Sequence, residues 1–146
     1  MDDSKHYAKL EKMYNSLPIN KMLQCSVKIS KEQATVTIII KEDFYHAAKA
    51  VHGSFYFKAM DDSAFFAVNS IEKFFFVLTN QFNTYLTRPV SKGIIRAEGR
   101  LVYQNKSQFI AESIVYNSEG LEIGRGSGLF VRSKMKLSDI PGYVDD

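Results

Sequence analysis

Two adjacent carboxylates, Asp61 and Asp62, stand in the middle of a stretch from Val51 to Ser70 that is otherwise almost all apolar. Ionised carboxylates are seldom buried without a partner or a task, so their neighbours decide what they can do. At about 100° per residue, the neighbours on a helix face lie three and four positions away. Lys58 precedes Asp62 by four, so Asp62 reads as a paired or solvated edge of the helix. Asp61 instead falls among Phe57, Met60, Ala64, Phe65 and Val68, none of which is a partner for charge. Apolar surroundings disfavour the ionised form and raise an acid's pKa. An acid so placed is a candidate general base or nucleophile. The alternative is that Asp61 bonds a neighbouring backbone or a second subunit.

The same stretch opens with His52-Gly53-Ser54, after a loop that contains His46. The first N–H groups of a helix have no intrahelical acceptor, and the macrodipole favours negative charge there. The helix start is therefore a ready site for a charge that develops during a reaction. Other chemistries lack their residues. There is no Gly-x-Ser-x-Gly or Cys/His nucleophile pattern and no His/Cys/Asp set at ligand spacing, so neither a metal nor a cofactor is expected.

A helix that is apolar on every side has to be wrapped by other elements. Residues 4–17 carry Tyr7, Leu10, Met13 or Tyr14, and Leu17 at helical spacing, with Ser4 as a cap and Pro18 as the stop. They read as a lid across the end of the core, with His6 on its surface. Residues 22–30 alternate, residues 34–41 are β-branched, and Lys31-Glu32-Gln33 joins them as a hairpin. Beyond the long helix, strands are predicted at 74–87, 94–104, 107–117 and 121–133, with Asn117-Ser-Glu-Gly120 as a turn. Gly124, Gly126 and Gly128 at period two leave a bare face for a helix or a ligand. These four strands read as an antiparallel succession. One helix cannot cover both faces of such a sheet, so the expected class is α+β. It is a curved antiparallel sheet of about six strands wrapped around one long central helix. Residues 1–146 read as one domain, with 1–21 a helical N-terminal segment and 135–146 a tail. The free sheet edge and the helix side bearing Asp61 then call for another subunit.

Composition excludes several classes. A net charge of +3 with no long basic run is too mild for nucleic acid. The single cysteine, Cys25, rules out an internal disulfide and reads as a small buried hydrophobe. No apolar run is long enough to span a membrane, and the polar N-terminus points to a cytoplasmic protein.

His52-Gly53-Ser54, Asp61 nine residues after the histidine, and Asn69-Ser70 at the helix end resemble the hotdog-fold thioesterases of the phenylacetic-acid-degradation (PaaI-like) type. Arg88-Pro89-Val90, Ala97-Glu98-Gly99-Arg100 and the hairpin from Asn117 to Phe130 are similar to further segments of that family. The likeness runs over about residues 20–134. It implies hydrolysis of acyl-coenzyme A thioesters by a homodimer, often paired into a tetramer. Carried over, Asp61 matches the acid that activates water or attacks the carbonyl. Gly53 matches the residue whose N–H polarises that carbonyl, and Thr79 a water-positioning serine of some relatives. Two residues depart from the pattern. Ser54 replaces the second glycine, and His46 stands where the family often has asparagine. His52 either fixes the helix start or touches substrate, and Ser54 is placed beside it as a substrate contact. Arg88 and Arg132, at strand ends, are candidates for the coenzyme phosphates. The departures leave two alternatives: a non-catalytic acyl-CoA-binding module, and a hotdog hydratase or dehydratase that recruits His46 or His52.

Overall fold

The stretch around the two acids forms one helix, α3, over Gly53–Asn69. His52 caps it in extended conformation (φ −60°, ψ 139°), its imidazole accepting the Ser54 N–H. Ala59, Met60, Ala64, Ala67 and Val68 are completely buried along it. The coordinates are a computed structural model and describe residues 3–145. The strands are β1 (Cys25–Ser30), β2 (Gln33–Ile39), β3 (Phe75–Leu86), β4 (Ile94–Gln104), β5 (Gln108–Tyr116) and β6 (Glu122–Lys136). All neighbours are antiparallel, in a six-stranded sheet of order β1-β2-β4-β5-β6-β3. The sheet wraps α3, which contacts every one of its strands. This is the hotdog fold, of class α+β. Among the described residues no helix is long and apolar enough to cross a membrane.

The expected four-strand succession is corrected. β3 does not pair with β4; it lies at the far edge, zipped along β6 from Phe75↔Lys136 to Leu86↔Gly124. The reason lies at Gly99. A Cβ there would collide with the backbone of Ser63 and Ala64, so β4 passes directly under the helix at closest approach. Ile95 and Ala97 share that buried face. The strand best shaped for the middle takes the middle, and β3 is left at the edge. Gly99→Ala is expected to destabilise the fold by about 1–3 kcal/mol or more, because the obstacle is backbone and cannot rotate away. Chemical denaturation at constant m-value measures the loss.

The bare face of β6 meets the helix at Gly124, where Tyr56 of α3 lies 3.5 Å from a Cβ position, but is filled differently from expectation at Gly126 and Gly128. A Cβ on Gly126 would stand 2.7 Å from the Phe82 ring, and Gly128 is overlain by the same ring. The glycines thus seat an aromatic of β3, and Phe82 in turn meets Phe57 of α3 edge-on at 5.8 Å.

The N-terminal segment is two helices, α1 (Asp3–Ser16) and α2 (Pro18–Met22). Pro18 opens the second helix as well as closing the first, since its ring lacks an N–H and presets φ for a first helical position. Leu10, Met13 and Tyr14 of α1 join one apolar cluster with β1, β2, α3 and the C-terminal Leu137 and Tyr143.

His6 is not a surface residue. It is fully buried, with Nε2 donating to the Asn69 carbonyl at 2.7 Å and Nδ1 accepting the Tyr143 hydroxyl at 2.7 Å. Burial holds its pKa below the usual 6.5. The unfolded chain therefore takes up a proton first as the pH falls, and stability declines below about pH 6.5. His6→Gln keeps an amide donor without titrating. Its Tm should change less between pH 7.5 and 5.5 than that of the native chain, and an equal change in both would refute the assignment.

Candidate active site

α1, α2 and the C-terminal turn at Ile140-Pro141 roof a cavity of about 470 Å³ against α3 and β3. Its wall is mostly side chains such as Leu17, Phe65, Phe66, Phe76 and Leu78, and Asp61 and Thr79 stand in it together. Asp61 is half-buried. Thr79 reaches it from β3, its Oγ1 donating to Asp61 Oδ1 at 2.8 Å. Burial pushes the Asp61 carboxyl up to about 6; the Thr79 hydrogen bond and the Lys58 charge oppose this, and the Asp62 charge adds to it. The reading of Asp61 as lacking a cation needs correcting to this extent. Lys58 lies one turn before it and acts on it through space, although the lysine's hydrogen bond goes to Asp62. A carboxylate with a pKa near 6 is ionised at neutral pH and still basic enough to take a proton.

Asp62 is paired, as its spacing predicts. Its Oδ2 accepts Lys58 Nζ at 2.8 Å and the Tyr14 hydroxyl of α1 at 2.7 Å. Burial beside Asp62 pushes the Tyr14 phenol up, so Tyr14 remains a donor. This bond ties the roof to the central helix. Sequence reasoning missed Tyr14 and Asn20 as cavity residues, because an amphipathic helix does not reveal what it packs over. Asn20 is buried; its Nδ2 donates to the Tyr14 carbonyl at 2.9 Å, and its Oδ1 has no partner among the described residues.

At the other end of α3, Ser54 N–H donates to His52 Nδ1 at 3.1 Å, and that nitrogen also lies 2.9 Å from Ser54 Oγ. His52 and Ser54 thus fix the helix start together. The Gly53 N–H has no hydrogen-bond acceptor among the described residues. His46 is exposed on the preceding loop, where its Nδ1 accepts the Ala48 N–H at 3.0 Å, and it does not line the Asp61 cavity. Arg88 is exposed beyond β3, its carbonyl accepting the Tyr56 hydroxyl at 2.6 Å. Arg132 is not a free cation. Its guanidinium pairs with the buried Glu72, donates to the Lys106 carbonyl and lies 5.3 Å over the Phe109 ring. It serves the end of the sheet, and it is dropped as a phosphate ligand.

β3 runs against the direction of α3 and meets it once per helix turn at four places. A Cβ at Gly53 would stand 2.6 Å from Leu86 Cδ1. Phe57 then meets Phe82, Asp61 meets Thr79, and Phe65 lies 5.2 Å from Phe76. Eight residues of helix separate Gly53 from Asp61, about 12 Å along the axis. One carbonyl cannot touch both groups of a single helix, even with the carboxylate leaning back toward the helix start.

The family model of the thioesterase superfamily matches residues 48–123, and the chain belongs to that superfamily. The PaaI protein of E. coli, from the phenylacetic acid degradation operon, superposes with a TM-score of 0.84 at 18% identity, over 92% of this chain and 97% of that one. A thioesterase family protein from Silicibacter pomeroyi gives 0.80 at 14% identity, over 87% and 97%. A thioesterase from Haemophilus influenzae gives 0.78 at 12% identity, over 87% and 90%. No curated protein sequence matches the chain.

Proposed function

We propose that the chain hydrolyses acyl-coenzyme A thioesters, with Asp61 as base or nucleophile and the Gly53 N–H as the donor to the thioester carbonyl. The observation that carries this reading is Asp61 itself: half-buried in the wall of an apolar cavity, bonded to Thr79, with its carboxyl raised to about 6. The acyl group occupies the cavity beneath α1 and α2. Asp61 removes a proton from water held with Thr79, or attacks the carbonyl carbon directly. Negative charge then builds on the carbonyl oxygen, where an unpaired helix-start N–H meets it. Collapse of the tetrahedral species breaks the carbon–sulfur bond, and the thiolate leaves as the thiol with a proton taken from water; on the nucleophilic route that water hydrolyses the acyl–Asp61 anhydride and so frees the acid.

The gap of about 12 Å within one helix supports a site that takes its two groups from two protomers. β3 is a free edge with Phe57, Leu78, Tyr85 and Leu86 exposed beside it. Free edges with apolar flanks call for a partner. A two-fold axis through the Phe57–Phe82 contact pairs β3 with its symmetry mate antiparallel. Because Phe57 is midway between Gly53 and Asp61, the same axis sets the Gly53 of one copy opposite the Asp61 of the other. A homodimer with two composite sites follows, and two such dimers form a tetramer on the family pattern. His46 Nδ1 accepts the Ala48 N–H and His52 Nδ1 the Ser54 N–H, so both imidazoles serve their own backbone and the hydrolase reading is preferred to a hydratase.

The test is thiol release from short-chain, long-chain and aromatic acyl-CoAs. Turnover of some members is expected. Tight binding of acyl-CoA with no release from any member of the panel would replace the enzyme with a binding module.

A further inference from the structure

The cavity has one polar corner, and its hydrogen bonds are incomplete. Lys58 Nζ and the Tyr14 hydroxyl both donate to Asp62 Oδ2. Asp62 Oδ1 and the remaining Lys58 N–H groups have no hydrogen-bond partner among the described residues, and the ammonium lies 5.6 Å from the centre of the Tyr14 ring. Both side chains line the cavity, with 21% and 18% of their surfaces exposed. The roof adds the unpartnered Oδ1 of Asn20, 1% exposed and the one buried side-chain oxygen or nitrogen without a partner among the described residues. Unmet polar groups against an apolar wall lose their hydration when an acyl group fills the slot, and an alkyl chain returns nothing.

We propose that Lys58 and Asp62 are specificity-determining residues that select acyl thioesters carrying a hydroxyl part-way along an otherwise apolar acyl group. A hydroxyl donates one hydrogen bond and accepts others. It fits between the free oxygen of Asp62 and a free N–H of Lys58. A carboxylate or an ammonium in the same place is attracted by one of the pair and repelled by the other, and it loses far more hydration in the apolar slot than a hydroxyl does. Asp62 follows Asp61 directly, with Cα atoms about 3.8 Å apart, so the hydroxyl is met a few atoms from the carbonyl that Asp61 serves. The proposal rests on the cavity being the acyl slot of the thioesterase reading.

Binding to the full native chain, measured by calorimetry with non-hydrolysable S-(2-oxoalkyl)-CoA ketones, separates the two claims. Ligands with the same eight-carbon chain are compared with and without a hydroxyl at its third or fifth carbon. At least one hydroxylated ligand is expected to bind about tenfold tighter than its deoxy counterpart, the size of one charged hydrogen bond. The double variant Lys58→Met/Asp62→Leu removes both charges together, which spares the fold an unpaired ion, and the ratio should collapse toward one. Equal affinities in the native chain overturn the proposal, as does a preference that survives the double variant. Thiol release from the corresponding thioesters reports separately on the reaction, so failure to hydrolyse them sinks the enzyme reading and not the selectivity.

Discussion

Asp61→Asn is expected to lower kcat/KM for thioester hydrolysis by about 100- to 10,000-fold, the range for loss of a positioned base. The substitution keeps the shape of the side chain and an oxygen able to accept the Thr79 hydroxyl, so folding and acyl-CoA binding should survive. In the native chain the same carboxyl is expected to set the acidic limb of the pH profile. Its pKa is raised to about 6, first by burial and then by the neighbouring charge of Asp62, against the opposing Thr79 bond and Lys58. Activity needs the deprotonated form, so kcat/KM should rise with pH through about 6 and level off above pH 7. Thr79→Val removes a bond to the ionised form, and the limb should then move to higher pH. A profile flat from pH 5 to 8, or an Asp61→Asn protein of native activity, would displace Asp61 from the chemistry.

Asp61 was legible before any coordinates because a helix brings together residues three and four apart, and that rule needs no tertiary knowledge. The strands were legible from alternation for the same local reason; the predicted span 94–104 is that of β4. What alternation does not carry is the identity of the partner strand. Whether β3 lies against β4 or β6 is decided by Gly99 beneath Ser63 and by the Phe82 ring over Gly126 and Gly128, contacts between residues far apart in sequence. His6 failed for a related reason. Its polar helical neighbours suggest a surface, and its burial depends on Tyr143 returning from 137 residues away. The roof residues Tyr14 and Asn20 were hidden likewise. Their chemistry exists only once α1 and α2 cross the face of α3, and no short-range pattern encodes that crossing. The arginines show the converse. Arg132 has the right type and a strand-end position for a phosphate, but a buried Glu72 already holds it.

Gly53→Pro is the second large effect, expected at about 100- to 1,000-fold on kcat, the usual cost of losing one oxyanion donor. Proline deletes the N–H and little else here. Gly53 is the first residue of α3, where proline is tolerated, and His52 before it already sits at φ −60°, ψ 139°, as a residue preceding proline prefers. The added Cβ meets only the Leu86 methyl, the end of a half-exposed side chain free to turn. Gly53→Ala adds the same carbon and keeps the N–H, so it should retain far more activity. The two defects also test where the site is built. If each site takes Gly53 from one protomer and Asp61 from its partner, a dimer of one Gly53→Pro chain and one Asp61→Asn chain contains one intact site and one doubly damaged site. Random reassembly of an equal mixture makes half the dimers mixed, so about a quarter of native activity should return from two nearly dead proteins. No recovery, with mixed dimers demonstrated by mass, places both groups in one chain and removes the two-fold arrangement through Phe57 and Phe82.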